Sequence, residues 1–168
     1  ESLNVLKELD LPLVKYAIAK DIPEAISVAS SIGYPMAIKI TSKTITHKSD
    51  VGGVKVGIAN EKELIDSINE ILNNLKKKHL EKETDGFILQ EMKSSKREFV
   101  YGIVKDKNFG LCSMFGLGGI FVEAMNDVSF KVLPTNEQDI EEQISALRTS
   151  KLLGNIRNLP ATNMEQLK

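Results

Sequence analysis

The 168-residue chain sets 22 Lys and Arg against 23 Asp and Glu, and 42% of its residues are hydrophobic and 27% charged. That balance suits a globular domain with a real core, and it leaves no global field to gather nucleic acid or an anionic membrane. No apolar run approaches the roughly 20 residues of a membrane span, and a single cysteine, Cys112, excludes an intrachain disulfide, so the composition points to a soluble cytoplasmic domain.

In chain order, residues 2–9 place Leu3, Leu6 and Leu9 at helical spacing, and residues 16–19 form a short apolar piece. Asp21-Ile22-Pro23-Glu24 starts a second helix whose face is Ala25, Ile26, Ala29 and Ile32, with Gly33 as its stop. After Pro35, Met36-Ala37-Ile38-Lys39-Ile40 reads as a strand with a lysine at its centre. Residues 54–58 form the next strand. Asn60 then caps a long helix with Leu64, Ile65, Ile68, Ile71, Leu72 and Leu75 inward, ending in Lys76-Lys77-Lys78-His79. From Gly86 the pattern turns to strands at 87–92, 98–105 and 111–115. The glycine cluster Gly116-Leu117-Gly118-Gly119 precedes strand candidates at 120–124 and 129–133. A helix is expected from Asn136 to about Leu147, and residues 161–168 read as the opening turns of an amphipathic helix. Helices alternate with strands first and hairpins dominate later, which predicts an α+β chain of two lobes with a cleft between them. The expected division is 1–85 and 86–168.

Several residue groups carry chemistry. Strand alternation points Lys39 away from Ile38 and Ile40, where an ammonium suits either solvent or phosphate oxygens. Thr46-His47-Lys48-Ser49-Asp50-Val51-Gly52-Gly53 offers hydroxyl and ammonium donors, and two glycines whose N–H groups are able to form an anion-binding concavity. A glycine-rich polar turn between two strands fits the same residues, and residue chemistry alone leaves both readings open. A neutral imidazole at His47 can act as nucleophile or proton shuttle near pH 7. Glu91 and Glu98 lie at strand ends able to approach across a hairpin. Glu123 and Asp127 follow the glycine cluster, where carboxylates can hold Mg²⁺ or a cationic group. The run 76–82 lacks interleaved aromatics and reads as a solvated face.

Taken in order, Gly33-Tyr34-Pro35 through Lys39-Ile40, His47 to Val54, Gln90-Glu91-Met92, Arg97-Glu98 with Gly102 and Asp106, Met114 to Glu123 and Asp127-Val128-Ser129-Phe130 resemble one family. It is the ATP-grasp β subunit of ADP-forming acetate–CoA ligases (acyl-CoA synthetases, NDP-forming). The resemblance implies an ATP-grasp fold gripping ATP or ADP between two α+β lobes. It assigns phosphate contact to Lys39, a phosphate-covering loop to Lys48, Ser49, Gly52 and Gly53, and a phosphoryl relay to His47. It also assigns the adenine-facing segment to Gln90, Glu91 and Met92, the ribose carboxylate to Glu98, and a phosphate-end loop to Gly118, Gly119 and Glu123. The implied reaction is acetyl-CoA + ADP + phosphate ⇌ acetate + CoA + ATP, run with Mg²⁺ and with an α subunit or fused CoA-binding domains in an α2β2-like hetero-oligomer. The family's Mg²⁺ ligands sit on an Asp-Ile-Asn-Pro-like strand and a later Asp that do not occur here. They are therefore expected beyond Lys168, with no metal ligands in this chain, the second lobe cut short, and no catalysis by the chain alone. A competing expectation is a non-catalytic nucleotide-sensing domain like those attached to protein acetyltransferases; the relay position at His47 speaks against it.

Overall fold

A computed structural model of the chain describes residues 2–94, 97–119 and 127–167. Two compact units divide it, Glu1–Ser94 and Ser95–Lys168.

The first unit runs α1 (Ser2–Glu8), β1 (Tyr16–Ala19), α2 (Ile22–Ile32), β2 (Met36–Thr41), β3 (Val54–Ile58), α3 (Glu61–Lys77), a 3-10 turn (Glu81–Glu83) and β4 (Gly86–Glu91). Local chemistry sets the helix ends. The Asp21 carboxylate accepts the Glu24 N–H at 2.9 Å, Pro23 sits in the first turn, and Gly33 exits at φ 85°. Asn60 does the same for α3, accepting the Glu63 N–H at 3.0 Å, while Glu63 reaches back to the Ala59 N–H at 2.8 Å. The strands form an antiparallel sheet in the order β1-β4-β2-β3. Both α2 and α3 cover one face of it. Ala25, Ala29 and Ile32 of α2 and Leu64, Ile68, Ile71 and Leu75 of α3 bury against Met36, Ile38, Ile40, Phe87 and Leu89. Fully burying each large aliphatic here contributes about 1.5–3 kcal/mol. Ile65 is only half-buried and Leu72 is exposed, because both lie off the 64–68–71–75 stripe that meets the sheet.

The expected boundary before Gly86 is displaced. β4 hydrogen bonds to both β1 and β2 at the centre of the first sheet, so the division falls after Ser94. The apolar run after Gly86 closes the first unit; it does not open the second.

The second unit comprises β5 (Phe99–Asp106), β6 (Gly110–Leu117), β7 (Val128–Val132), α4 (Glu137–Ser145), a 3-10 turn (Ser150–Leu153) and α5 (Met164–Leu167). β5-β6-β7 form an antiparallel sheet. Asp106 shapes the β5–β6 turn by accepting the N–H groups of Asn108 and Phe109 at 2.8 and 2.9 Å, which holds its carboxyl below the ordinary range. A reciprocal Asn136–Asp139 cap starts α4. Phe115, Leu117, Ile144, Leu147 and Leu153 make the core, with Phe99 stacked on Phe115 at 5.7 Å between ring centroids. The strand candidate at 120–124 lies outside the described residues. Among the described residues no helix is long and apolar enough to cross a membrane.

Candidate functional site

In the first unit, the sheet face opposite the helices gathers two of the expected residues. Lys39 lies opposite Ile88 on β4 and Val54 on β3, and Ala37 lies opposite Gln90. Directly paired residues share a face, so the half-buried Lys39 and Gln90 stand together on a surface with Ile88 and the exposed Ile18. The result is a cation and an amide on an apolar platform.

The loop 42–53 leaves this sheet beside Lys39 and returns to it at Gly53, whose carbonyl accepts the Ile40 N–H at 2.9 Å. Its first part is fixed by Ser42 Oγ, which accepts the N–H groups of Thr44 and Ile45 at 3.2 and 3.0 Å, and by the Thr44 hydroxyl, which donates to Glu83 at 2.5 Å. Its second part is a double turn. Asp50 N–H donates to His47 O at 3.2 Å, Gly52 N–H to Ser49 O at 2.9 Å and Gly53 N–H to Lys48 O at 2.8 Å. The concavity expected from the Gly52 and Gly53 N–H groups is therefore not formed, because both groups are engaged inside the loop. Glycine is required there for other reasons. Gly52 adopts φ 68°, and a Cβ on it would meet Asn74 Nδ2 at 2.5 Å; a Cβ on Gly53 would meet Ile40 Cδ1 at 2.8 Å and Lys48 O at 3.0 Å. The N–H groups of His47, Lys48 and Ser49 have no acceptor among the described residues. The side chains of His47 and Ser49 are exposed and that of Lys48 is half-buried.

At the end of β4 the expected adenine-facing segment splits. Gln90 faces the Lys39 platform, whereas Glu91 lies opposite the buried Met36 and so turns to the other face. There the Lys93 ammonium, at 2.5 Å, is the main influence holding the Glu91 carboxyl below its usual range; partial burial opposes it and the Lys15 N–H at 3.4 Å assists. Glu91 N–H donates to Lys15 O at 2.9 Å and Met92 N–H to Pro35 O at 3.2 Å, so both donors extend the sheet.

In the second unit Glu98 meets the glycine cluster. Its carbonyl accepts the Gly118 N–H at 2.6 Å, and a Cβ on Gly119 would stand 3.0 Å from its carboxylate. Glu123, expected at the same loop, lies outside the described residues. Asp127 is not placed to hold a metal ion; the cationic group beside it is the Arg148 guanidinium, with Nε 3.7 Å from Oδ1. It is buried, and its oxygens accept the N–H groups of Arg148 and Thr149 at 3.0 and 2.7 Å and the Thr149 hydroxyl. Burial pushes the Asp127 carboxyl up, but these bonds and the Arg148 charge outweigh it and hold the group below the ordinary range. Among the described residues no three His, Cys, Asp or Glu side chains converge as a metal site.

Residue reasoning missed three anchors: Asn74 and Lys78, which reach the loop from α3 and its C-terminal cap, and Arg97, which donates to the carbonyls of Gly154, at 2.6 Å, and Pro160. The four-residue spacing of Glu70, Asn74 and Lys78 was the one available signal for the first pair.

A two-layer α+β unit with a cation-bearing sheet face and an anchored glycine loop beside it has the layout of a domain able to take an anionic ligand. The ATP-grasp domain model matches residues 1–168. The chain is 38% identical to the 4-hydroxybutyrate–CoA ligase [ADP-forming] of Nitrosopumilus maritimus over 99% of its own length and 24% of that protein. It is 36% identical to the acetate–CoA ligase [ADP-forming] I subunit beta of Pyrococcus furiosus, over 99% of this chain and 72% of the subunit. The dinucleotide forming acetyl-coenzyme A synthetase 1 of Ca. Korarchaeum cryptofilum, solved with coenzyme A, Ca-AMPCP and HgCl+, superposes with TM-score 0.91 at 38% identity over 98% of this chain and 72% of that one. A further structure of that synthetase, with coenzyme A, acetyl-coenzyme A and a phosphorylated phosphohistidine segment, gives TM-score 0.85 at 35% identity over 98% and 71%. The chain thus spans about a quarter of the first ligase and nearly three quarters of the β subunit. It belongs to the ATP-grasp family and is similar to the β subunits of ADP-forming acetate–CoA ligases.

Proposed function

We propose that this chain is the nucleotide-binding part of an ADP-forming acyl–CoA ligase and that it passes a phosphoryl group between a phosphohistidine and ADP. The observation that carries the reading is the likeness, at TM-score 0.91, to a synthetase solved with coenzyme A and a nucleotide analogue. The exposed imidazole of His47 sits on the anchored loop beside Lys39.

In the synthetic direction the incoming P–N bond breaks as a new P–N bond forms on His47. That bond in turn breaks as a β-phosphate oxygen of ADP attacks phosphorus. A phosphoramidate keeps its transfer potential through both steps. The Lys39 and Lys48 ammonium groups, the Ser49 hydroxyl and the unengaged N–H groups of 47–49 would offset charge on the equatorial oxygens. Gln90 and its apolar neighbours would take the base, Glu98 the ribose, and Gly118, Gly119 and Glu123 the phosphate end. Mg²⁺ supplies further charge neutralisation in such transfers. No convergent acidic set lies among the described residues and the Asp127 oxygens are engaged, so these residues do not fit a metal ion. The partner is an α subunit or fused CoA-binding domains in an α2β2-like assembly working in the cytoplasm, and acetate is the reference acyl group.

The test is phosphotransfer with the CoA-binding partner present, comparing wild type with His47→Ala, after calorimetry with ADP in the presence and absence of Mg²⁺. Transfer is expected to fall by about a hundredfold or more in the variant with ADP affinity little changed. Undiminished turnover in His47→Ala removes the residue from the mechanism, and absence of ADP binding removes the nucleotide reading.

A further inference from the structure

Three polar side chains repeat every four residues along one face of α3 and its cap: Glu70, Asn74 and Lys78. Residues at that spacing share a face. Each meets the 50–55 segment in turn. The Glu70 carboxylate pairs with the Lys55 ammonium, the Asn74 amide donates to the Gly52 carbonyl at 3.4 Å, and the Lys78 ammonium donates to the Asp50 carbonyl at 2.7 Å. The helix and the segment run past each other in opposite directions, so the three contacts form a seam. The Asn74 side chain also occupies the space a Cβ on Gly52 would need, which ties the glycine to the helix by shape as well as by hydrogen bonding.

We infer that Asn74 and Lys78 are positioning residues for the loop that carries His47, an inference resting on the phosphoryl-transfer reading above. Both act through backbone carbonyls. Asp50 O and Gly52 O lie in the same double turn whose N–H groups bond to His47 O, Lys48 O and Ser49 O. Fixing the carbonyls of 50 and 52 therefore fixes the frame on which 47–49 are hung. Lys78 is the stronger member, because a hydrogen bond from an ammonium is charge-assisted. Both side chains end on backbone carbonyls of the loop and not on the His47 imidazole. They set where the imidazole stands and how narrowly it is held, and geometric misplacement of a reacting group slows transfer far more than binding.

The test uses the whole chain with its CoA-binding partner and compares Lys78→Ala, Asn74→Ala, their double variant and Lys78→Arg. Lys77→Ala, which removes the same charge from an exposed neighbour, is the control. Hydrogen exchange at Asp50, Gly52 and Gly53 is read first, without reference to activity. About fivefold to tenfold faster exchange is expected in each single variant, with the core amides of α3 unchanged, recovery in Lys78→Arg and no effect in Lys77→Ala. Single-turnover transfer should slow in parallel, through kcat more than through the KM for ADP. Unchanged exchange in the double variant overturns the inference whatever the activity shows. Faster exchange with undiminished transfer overturns it equally. Failure of the underlying reading is scored separately, by His47→Ala.

Discussion

Asp127 offers a sharp test of whether a carboxylate is a ligand or an anchor. Replacing it with Asn keeps the shape but removes the charge and one acceptor. Oδ1 accepts the Arg148 N–H, and Oδ2 accepts both the Thr149 N–H and hydroxyl. An Asn amide can serve only one of these positions with oxygen. With oxygen kept at the Thr149 side, the Arg148 N–H loses its acceptor, at about 1.5–2 kcal/mol, and two charge-assisted bonds become neutral ones, at about 0.5–1 kcal/mol each. The sum is about 3 kcal/mol. With a urea slope near 1.5 kcal/mol per M, the unfolding midpoint of the second unit should fall by about 2 M. The pH dependence fixes the cause. The carboxyl is depressed in the folded chain, so its stabilisation is fully present above the unfolded value near 4 and is lost as pH falls through the folded value. The gap between wild type and Asp127→Asn should therefore close in acid, where protonated Asp and Asn become alike. Urea titrations at pH 7 and at successive steps below pH 4, read on the amides of β6 and β7, decide it. A gap that does not change with pH, or a midpoint shift under about 0.5 M, refutes the anchor.

Two further outcomes follow from particular contacts. The Gln143 amide is buried between strands, donating to Ser113 O and Ser129 O at 3.1 and 3.0 Å and accepting from the Ser113 hydroxyl at 3.0 Å. Gln143→Leu should cost about 3 kcal/mol in chemical denaturation, and a double-mutant cycle with Ser113→Ala should show about 1 kcal/mol of coupling; strict additivity counts against the network. Lys93→Ala should let the Glu91 carboxyl titrate at a higher pH than in wild type, because its main charge partner is gone; an unmoved carboxyl resonance in an NMR titration contradicts that.

Much of this was legible in the residues. Asp21, Asn60 and Asn136 mark helix starts through purely local chemistry, and in the structure each side chain accepts the N–H three residues on. Lys39 among Ile38 and Ile40 states its face by alternation alone. What escaped needed partners distant in sequence. The Lys78–Asp50 bond spans 28 residues and the Asp127–Thr149 bond 22, and neither leaves a local pattern. Alternation tells which face a residue takes but not which sheet its strand joins, so Gly86–Glu91 was expected in the second lobe. A glycine pair, likewise, says that a side chain is unwelcome without saying why.

The reason turns out to bear on function. Gly52 and Gly53 close a double turn against Ile40 and α3, and their N–H groups are engaged in doing so. Under the proposed function, a phosphate at this loop would therefore be met by donors other than the Gly52 and Gly53 N–H groups, with the side chains of Lys39, Lys48 and Ser49 and the N–H groups of 47–49 among those available. The loop thus has two halves of different character: a base at 50–53 held by internal bonds and by α3, and a tip at 46–49 whose donors point to no acceptor among the described residues. Hydrogen exchange in the free chain should reflect that division, with amides 47–49 near the unprotected rate and those of Asp50, Gly52 and Gly53 slowed by about tenfold or more. A nucleotide that engages the tip should then slow 47–49 and leave 50–53 nearly as before. Equal protection along the whole loop in the free chain would contradict the two-part reading, because a uniformly rigid loop has no separate base for an imidazole to pivot on.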